Sequence, residues 1–305
     1  MKRVISTIII ALFAVVATAS YVSAQDPAPI KKIKGNGIIV SKSIPCSIPY
    51  SVIDISTCIK LTVSDRRDGE IKISADENIM PYIQIESGNG LFRAKIMAGL
   101  TPRNMKNTNI TIEIPYSEDI RQIKATEAAR ITFVPTLESN NVNLLLSNAS
   151  RLEAKIRAQE LGINASSGSN AELDLDAGKL VINVSGGSTI SPMSALATDC
   201  KISAREAGKV AGVMTTTTLD CEVSGASNVN LSGVGRTVEF EVNGTSRLGA
   251  SNFVTDFCTL AISGASYAYV NCTNSLTADS SGTSQVFYTG ECKASVLSDP
   301  IIHKQ

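Results

Sequence analysis

A tetrad of small residues returns about every 19 to 20 positions through most of the chain, and a period of that length leaves few folds open. The clear copies are Ser147-Asn-Ala-Ser150, Ser185-Gly-Gly-Ser188, Ser224-Gly-Ala-Ser227, Asn243-Gly-Thr-Ser246, Ser263-Gly-Ala-Ser266 and Ser281-Gly-Thr-Ser284. Weaker copies are Thr126-Glu-Ala-Ala129, Gly168-Ser-Asn-Ala171 and Arg205-Glu-Ala-Gly208. The nine starts span 155 residues in eight steps, a mean of about 19.4. Three positions before each start stand Ile123, Leu144, Ala165, Ile182, Ile202, Cys221, Phe240, Leu260 and Ala278. Five after each start stand Ile131, Leu152, Leu173, Ile190, Val210, Val229, Leu248, Ala268 and Val286. Two apolar columns held over nine copies are a structural repeat, not a bias of composition.

Within a copy the apolar residues alternate with polar ones. Val238-Glu-Phe240-Glu-Val242 and Leu219-Asp-Cys221-Glu-Val223 read as strands with one face inward. A unit of about 19 residues cannot close a core alone, but stacked on its neighbours at about 4.8 Å per rung it can. The fold expected is therefore all-β, a parallel β-helix (β-solenoid) with the tetrad at a corner. There Gly tolerates positive φ, and Ser or Asn can bond the matching residue one rung away. Residues 119–297 form the regular solenoid on this reading, and 298–305 a C-terminal tail.

Residues 33–118 are β but less regular. Strands are expected at Ile38–Val40, Val52–Ile55, Ile59–Val63, Glu70–Ile73, Tyr82–Ile85, Leu91–Ile96 and Ile110–Ile114. Arg66-Arg-Asp-Gly69 and Ser87-Gly-Asn-Gly90 read as hairpin-type turns, and Met97 to Asn109 as an exposed loop.

Gly35-Asn-Gly37 before Ile38-Ile-Val40, then Asp76-Glu-Asn78-Ile79 with Tyr82-Ile83, then Ile110-Thr-Ile-Glu-Ile114-Pro115 leading into the repeats, resemble the putative auto-transporter adhesin head GIN domain family. The resemblance covers roughly Ile33 to Leu297. It implies a right-handed β-helix, an exported protein of a Bacteroidetes-type bacterium and no established activity, with no catalytic residues to carry over.

Composition excludes more than it assigns. With 28 basic against 28 acidic residues, 5% aromatics and no Trp, the chain has neither a basic stripe nor stacking platforms for nucleic acid. The one His, His303, removes His-based triads and His-rich metal sites. Lys2 and Arg3 before the apolar run Val4 to Ala17, with Val22-Ser-Ala24 at the cleavage position, read as a secretory signal over residues 1–24. A linker follows over 25–32, and no transmembrane span remains once the signal is removed. The expected address is the periplasm first, the cell surface or medium second.

One charged cluster stands out. Asp220 and Glu239 lie four before their starts, Glu222 and Glu241 two before, so all four carboxylates point outward from one sheet on adjacent rungs. Carboxylates about 5 Å apart repel unless compensated, and Lys201, in the column of Asp220, supplies part of that. Three readings are open for Asp220, Glu222, Glu239 and Glu241: a solvated face, a calcium-type cation site, or a glycosidase-like pair. The solvated face is the preferred one, with no cofactor required. A second stripe, Glu172, Asp174 and Asp176, reads as solvated too.

Cys200, Cys221 and Cys258 fall at inward positions as free buried thiols, while Cys46 with Cys58 and Cys272 with Cys292 are open as pairs. The function expected is non-catalytic: adhesion, or binding of an extracellular or envelope polysaccharide or protein. A carbohydrate-active enzyme or a purely structural envelope scaffold is the alternative.

Overall fold

The computed structural model describes residues 32–296 and 301–304. The expected signal, the linker up to residue 31 and residues 297–300 and 305 lie outside them. Among the described residues no helix is long and apolar enough to cross a membrane.

The repeats form a β-solenoid. Seven long strands follow one another at one per turn: Arg151–Ala165, Asn170–Val184, Thr189–Ala204, Lys209–Val223, Asn228–Val242, Arg247–Ile262 and Tyr267–Ser280. Each pairs in parallel with the next. Every one bends midway, where alternation breaks and two successive residues face solvent: Gln159-Glu160, Gly178-Lys179, Thr198-Asp199, Thr217-Thr218 and Arg236-Thr237 in the better-defined copies. The bend divides each turn into an arm after the tetrad corner and an arm before the next one. Steps of 20 residues absorb the extra position as a bulge in the arm after the corner, between Leu173 and Asp174 of one register and between Asn230 and Ser232 of another.

The inward columns form continuous spines. Ile53, Ile123, Leu144, Ile163, Ile182, Ile202, Cys221, Phe240, Leu260 and Ala278 stack in register, and none is more than 1% exposed. The second spine runs Leu61, Ile131, Leu152, Ala171, Ile190, Val210, Val229, Leu248, Ala268 and Val286. One copy differs from the sequence reading: its corner is Ser166-Ser-Gly-Ser169, not Gly168–Ala171, so Ile163 and Ala171 take the places expected of Ala165 and Leu173. The error was two residues, which preserves the side each residue faces, and apolarity could not detect it.

The corners come in two kinds. At Glu127-Ala128, Asn148-Ala149, Ser167-Gly168, Gly186-Gly187, Glu206-Ala207 and Gly225-Ala226 both central residues have positive φ, the type I′ signature. At Gly244, Gly264 and Gly282 only the first central residue does, the type II′ pattern. The two differ by a flip of the central peptide, and the hydrogen bonds between corners reverse with it. Ala207 N donates forward to Gly225 O at 2.9 Å, whereas Ala265 N donates back to Gly244 O at 2.8 Å. Where the kinds meet, the amides of the exposed residues Ala226 and Thr245 have, among the described residues, no backbone acceptor. Inward corner serines also bond along the axis, as in Ser169 Oγ to Ser188 Oγ at 3.3 Å.

The N-terminal part contributes rungs to the same stack. Val52–Ile55 and Lys60–Ser64 lie in parallel beneath Gln122–Ala125 and Arg130–Phe133, with Thr57 and Cys58 as a further positive-φ corner. Leu91–Ile96 and Ile110–Pro115 pair in parallel with the outer side of that rung, although they come later in the chain. Antiparallel strands then finish this end: Ile83–Gly88 on Leu91–Ile96, Glu70–Asp76 on Ile110–Pro115, and Ile39–Pro45 on Glu70–Asp76. Ser87–Gly90 is the hairpin turn expected. Arg66–Gly69 is not, because Ile110–Pro115 sits between the strands it joins. The 97–109 loop is anchored by buried Met105, paired with Ile33.

Asp76 explains why Gly35-Asn-Gly37 accompanies Asp76-Glu-Asn78. The fully buried Asp76 carboxylate accepts from Gly37 N at 2.9 Å and Asn109 N at 2.7 Å. A side chain on Gly35 would lie 2.6 Å from that carboxylate and 2.5 Å from Asn107 O. Asn78 accepts from Asn36 N at 3.0 Å and donates to Lys34 O at 2.8 Å. These residues knit the end of the stack rather than hold a ligand.

At the other end, Gln285–Thr289 and Lys293–Val296 pair with Tyr267–Ser280, and Ile301–Lys304 pairs with Gln285–Thr289. Part of the expected tail is thus a strand of the stack.

Candidate functional site

The solenoid register brings the acidic quartet together as the spacing predicts: Asp220 pairs with Glu239 and Glu222 with Glu241. What spacing did not show is how basic and amide groups answer three of the four charges. Lys201 Nζ lies 2.7 Å from Asp220 Oδ2 and 3.4 Å from Glu222 Oε1, and Arg205 reaches Glu222 Oε2 at 2.8 Å. Asn243 Nδ2 donates to Glu241 Oε1 at 2.8 Å. The Arg205 hydrogen bond, against a smaller opposing effect of burial, holds the Glu222 carboxyl below the usual range, with Lys201 adding to it. The bond to Asp220 raises the ammonium of Lys201. Among the described residues no three His, Cys, Asp or Glu groups are arranged to hold a metal ion.

Two of the three carboxylates of the second stripe are compensated by the rung before it. Arg151 pairs with Glu172, and Lys155 Nζ lies 3.0 Å from Asp174 Oδ2. Asp176 registers with Arg157, which bonds Glu138 at 3.2 Å. The signal for these partners was present as opposite charges 19 to 21 residues apart, one turn of the repeat.

Beside the quartet, on the arm before the corner, lies an open groove of about 560 Å³. Asn164, Asn183, Ser203 and Glu222 occupy one outward column of it, on successive rungs. Lys201 and Arg205 flank them, and Asn183 Nδ2 donates to Asn164 Oδ1 at 3.0 Å, fixing both amides. Neither asparagine stands out in the sequence, because the column they make exists only once the rungs are stacked. Amides, a hydroxyl and compensated charges repeated at rung spacing are suited to hydrogen-bonding a hydroxyl-rich chain. They are poorly suited to acid catalysis, since a general acid must carry a proton near neutrality and Glu222 is held ionised.

All seven cysteines are free thiols. Burial pushes Cys200 up to about 12 and Cys221 and Cys258 further, so these three are inert packing groups. Cys46 lies beside Ser87 and Cys58 beside Glu127, in separate surroundings. Cys272 and Cys292 are neighbours.

Residues 49–205, and again 193–292, match the family described as "Putative auto-transporter adhesin, head GIN domain". The chain belongs to this family. Its resemblance to the GIN family is thereby sustained over most of the described residues. Solved structures of similar fold include a putative adhesin from Parabacteroides merdae, 15% identical, with a TM-score of 0.50 over 89% of this chain and 97% of that one. A putative adhesin from Parabacteroides distasonis has the same identity, TM-score and coverage. A putative lipid binding protein from the same species is 16% identical over 87% of this chain and 95% of that one, at a TM-score of 0.42. No curated protein matches the chain. The GIN family and the two adhesins are described as adhesins, not as enzymes.

Proposed function

We propose that this GIN-domain protein is an exported, non-catalytic binding protein that holds a repeating surface polymer, a polysaccharide first, along the arm before the corner. The observation that carries the reading is the column Asn164, Asn183, Ser203 and Glu222, which aligns polar residues once per rung along a groove, with the two asparagines and Glu222 held by their neighbours and Ser203 largely covered. A polymer with its own repeat meets such a column at several points, so weak contacts add through multivalency. The adhesin description of the family agrees with a binding role. Arg205 and Lys201, by keeping Glu222 ionised, leave it without the proton that the general acid of a glycosidase must carry. The leader-like residues 1–24 support export, with the periplasm first and the surface or medium second.

Incubation of the purified protein with a glycan library tests this. Retention without cleavage is expected, and Asn183→Ala together with Glu222→Gln weakens it about tenfold. Release of shortened products would instead make it an enzyme, and no retention by any glycan would leave a structural scaffold. Added protease on intact cells separates a surface address, where the protein is digested, from a periplasmic one.

A further inference from the structure

A second groove, of about 520 Å³, lies on the arm after the corner, around Asn230, Ser232, Arg247, Ser251, Asn252 and Tyr269. No carboxylate lines it. It exists because one outward column changes size along the axis. Ala211, Asn230 and Gly249 are followed in register by Tyr269, Phe287 and His303. The small residues leave the floor low, and the aromatic residues raise a wall. A side chain on Gly249 would come within 2.2 Å of Asn230 Oδ1, so glycine is what lets that amide lie across the floor.

The wall is rigid. Tyr269 stacks on Phe287 at 4.8 Å and 10°, and Phe287 stacks on His303 at 5.1 Å. The free face of Tyr269 carries the guanidinium of Arg247 at 5.0 Å. Arg151, Arg157 and Arg205 each meet a carboxylate on a neighbouring rung, but Arg247 has, among the described residues, no carboxylate partner. Its column supplies none either, running Lys209, Asn228, Arg247, Tyr267 and Gln285. A cation held by an aromatic ring with its hydrogen-bonding edge unused is a ready site for a planar anion, and a guanidinium fits a carboxylate in two-point fashion. Around it stand neutral amides and hydroxyls, the groups that match sugar hydroxyls.

We infer that this groove binds an acidic saccharide: the carboxylate of a uronic acid unit on Arg247, its hydroxyls on Asn230, Asn252 and the flanking serines. One arginine among neutral groups favours a sugar acid over an anionic lipid surface, which rewards several cations spread over a face. The site is separate from the polar column on the arm before the corner and stands or falls without it.

The test uses the full-length protein against polygalacturonate, alginate and hyaluronate, with dextran as the neutral control and phosphatidylglycerol vesicles as the lipid control. Binding to at least one of the uronic acid polymers is expected, weakened by salt and by about tenfold or more in Arg247→Gln. Arg247 is exposed, and an unchanged Tm for this variant shows that the fold is kept. Asn183→Ala with Glu222→Gln leaves this binding intact. Uronate binding that survives Arg247→Gln, dextran binding that falls with it in Arg247→Gln, or binding of vesicles in place of polysaccharide each overturns the inference. Dextran retention lost only in the Asn183 and Glu222 variants, with no uronate retention that depends on Arg247, overturns it while sustaining the reading above, and retention of no polymer overturns both.

Discussion

Glu222 shows how a single side chain is read differently once its neighbours are known. From spacing it is one of four carboxylates crowding a sheet; in the fold it is gripped by Arg205 and Lys201 from the preceding turn. Its carboxyl is held below the ordinary value, so it favours the folded state above the unfolded carboxylate pKa of about 4.3, and that advantage is lost as pH falls from there through the lower folded value. Wild type is therefore expected to be more stable than Glu222→Gln at pH 7, with the gap closing below about pH 4; thermal unfolding of both across pH checks it. A gap that persists at pH 3 would show that the ion pairs are not its source. The carboxylates were legible as a group because alternation fixes which way they point. Arg205 was not, because it belongs to a corner, where period-two reasoning ends.

At the scale of the corner, sequence and conformation part company. Ser224-Gly-Ala-Ser227 and Ser263-Gly-Ala-Ser266 are identical, yet Ala226 has a φ of 64° and Ala265 is not in the left-handed region. Neighbours decide. Glu206 at the first central position of the preceding corner excludes type II′, which needs glycine there. Thr245 and Thr283, on either side of Ala265, disfavour the left-handed region that type I′ would impose on a β-branched residue. Matching hydrogen bonds between stacked corners then carry each choice to the adjacent rung. The same substitution is accordingly expected to act unequally: Ala226→Thr destabilises by about 1–2 kcal/mol, and Ala265→Thr stays within about 0.5 kcal/mol. Denaturant titration of the two variants measures this, and equal effects would refute the two-kind account.

Across the whole stack, stability comes from contacts between successive rungs. Removal of residues 170–188, one full turn, joins Ser169 to Thr189 and sets equivalent positions back on one another. That deletion is expected to leave a soluble protein with a β circular dichroism spectrum and cooperative unfolding. The exposed ion pairs it removes, Arg151–Glu172 and Lys155–Asp174, contribute little. Removal of 170–179 alone puts the corner over the bend and is expected to abolish the fold. If both deletions behave alike, stacking by register is not what holds the protein together.

The repeat, the inward spines and the sites of the N-terminal strands were determined by the sequence itself, because burial on one face forces a period of two and stacking forces a period of one turn. Tertiary structure alone decided the order of the N-terminal rungs. There Ile110–Pro115 lies between two strands that follow each other in the chain, a choice made by non-local pairing. It alone also chose the hand of each corner peptide, and it alone placed Arg247 on Tyr269 above a glycine floor, since a groove is the difference in size between neighbours on separate rungs.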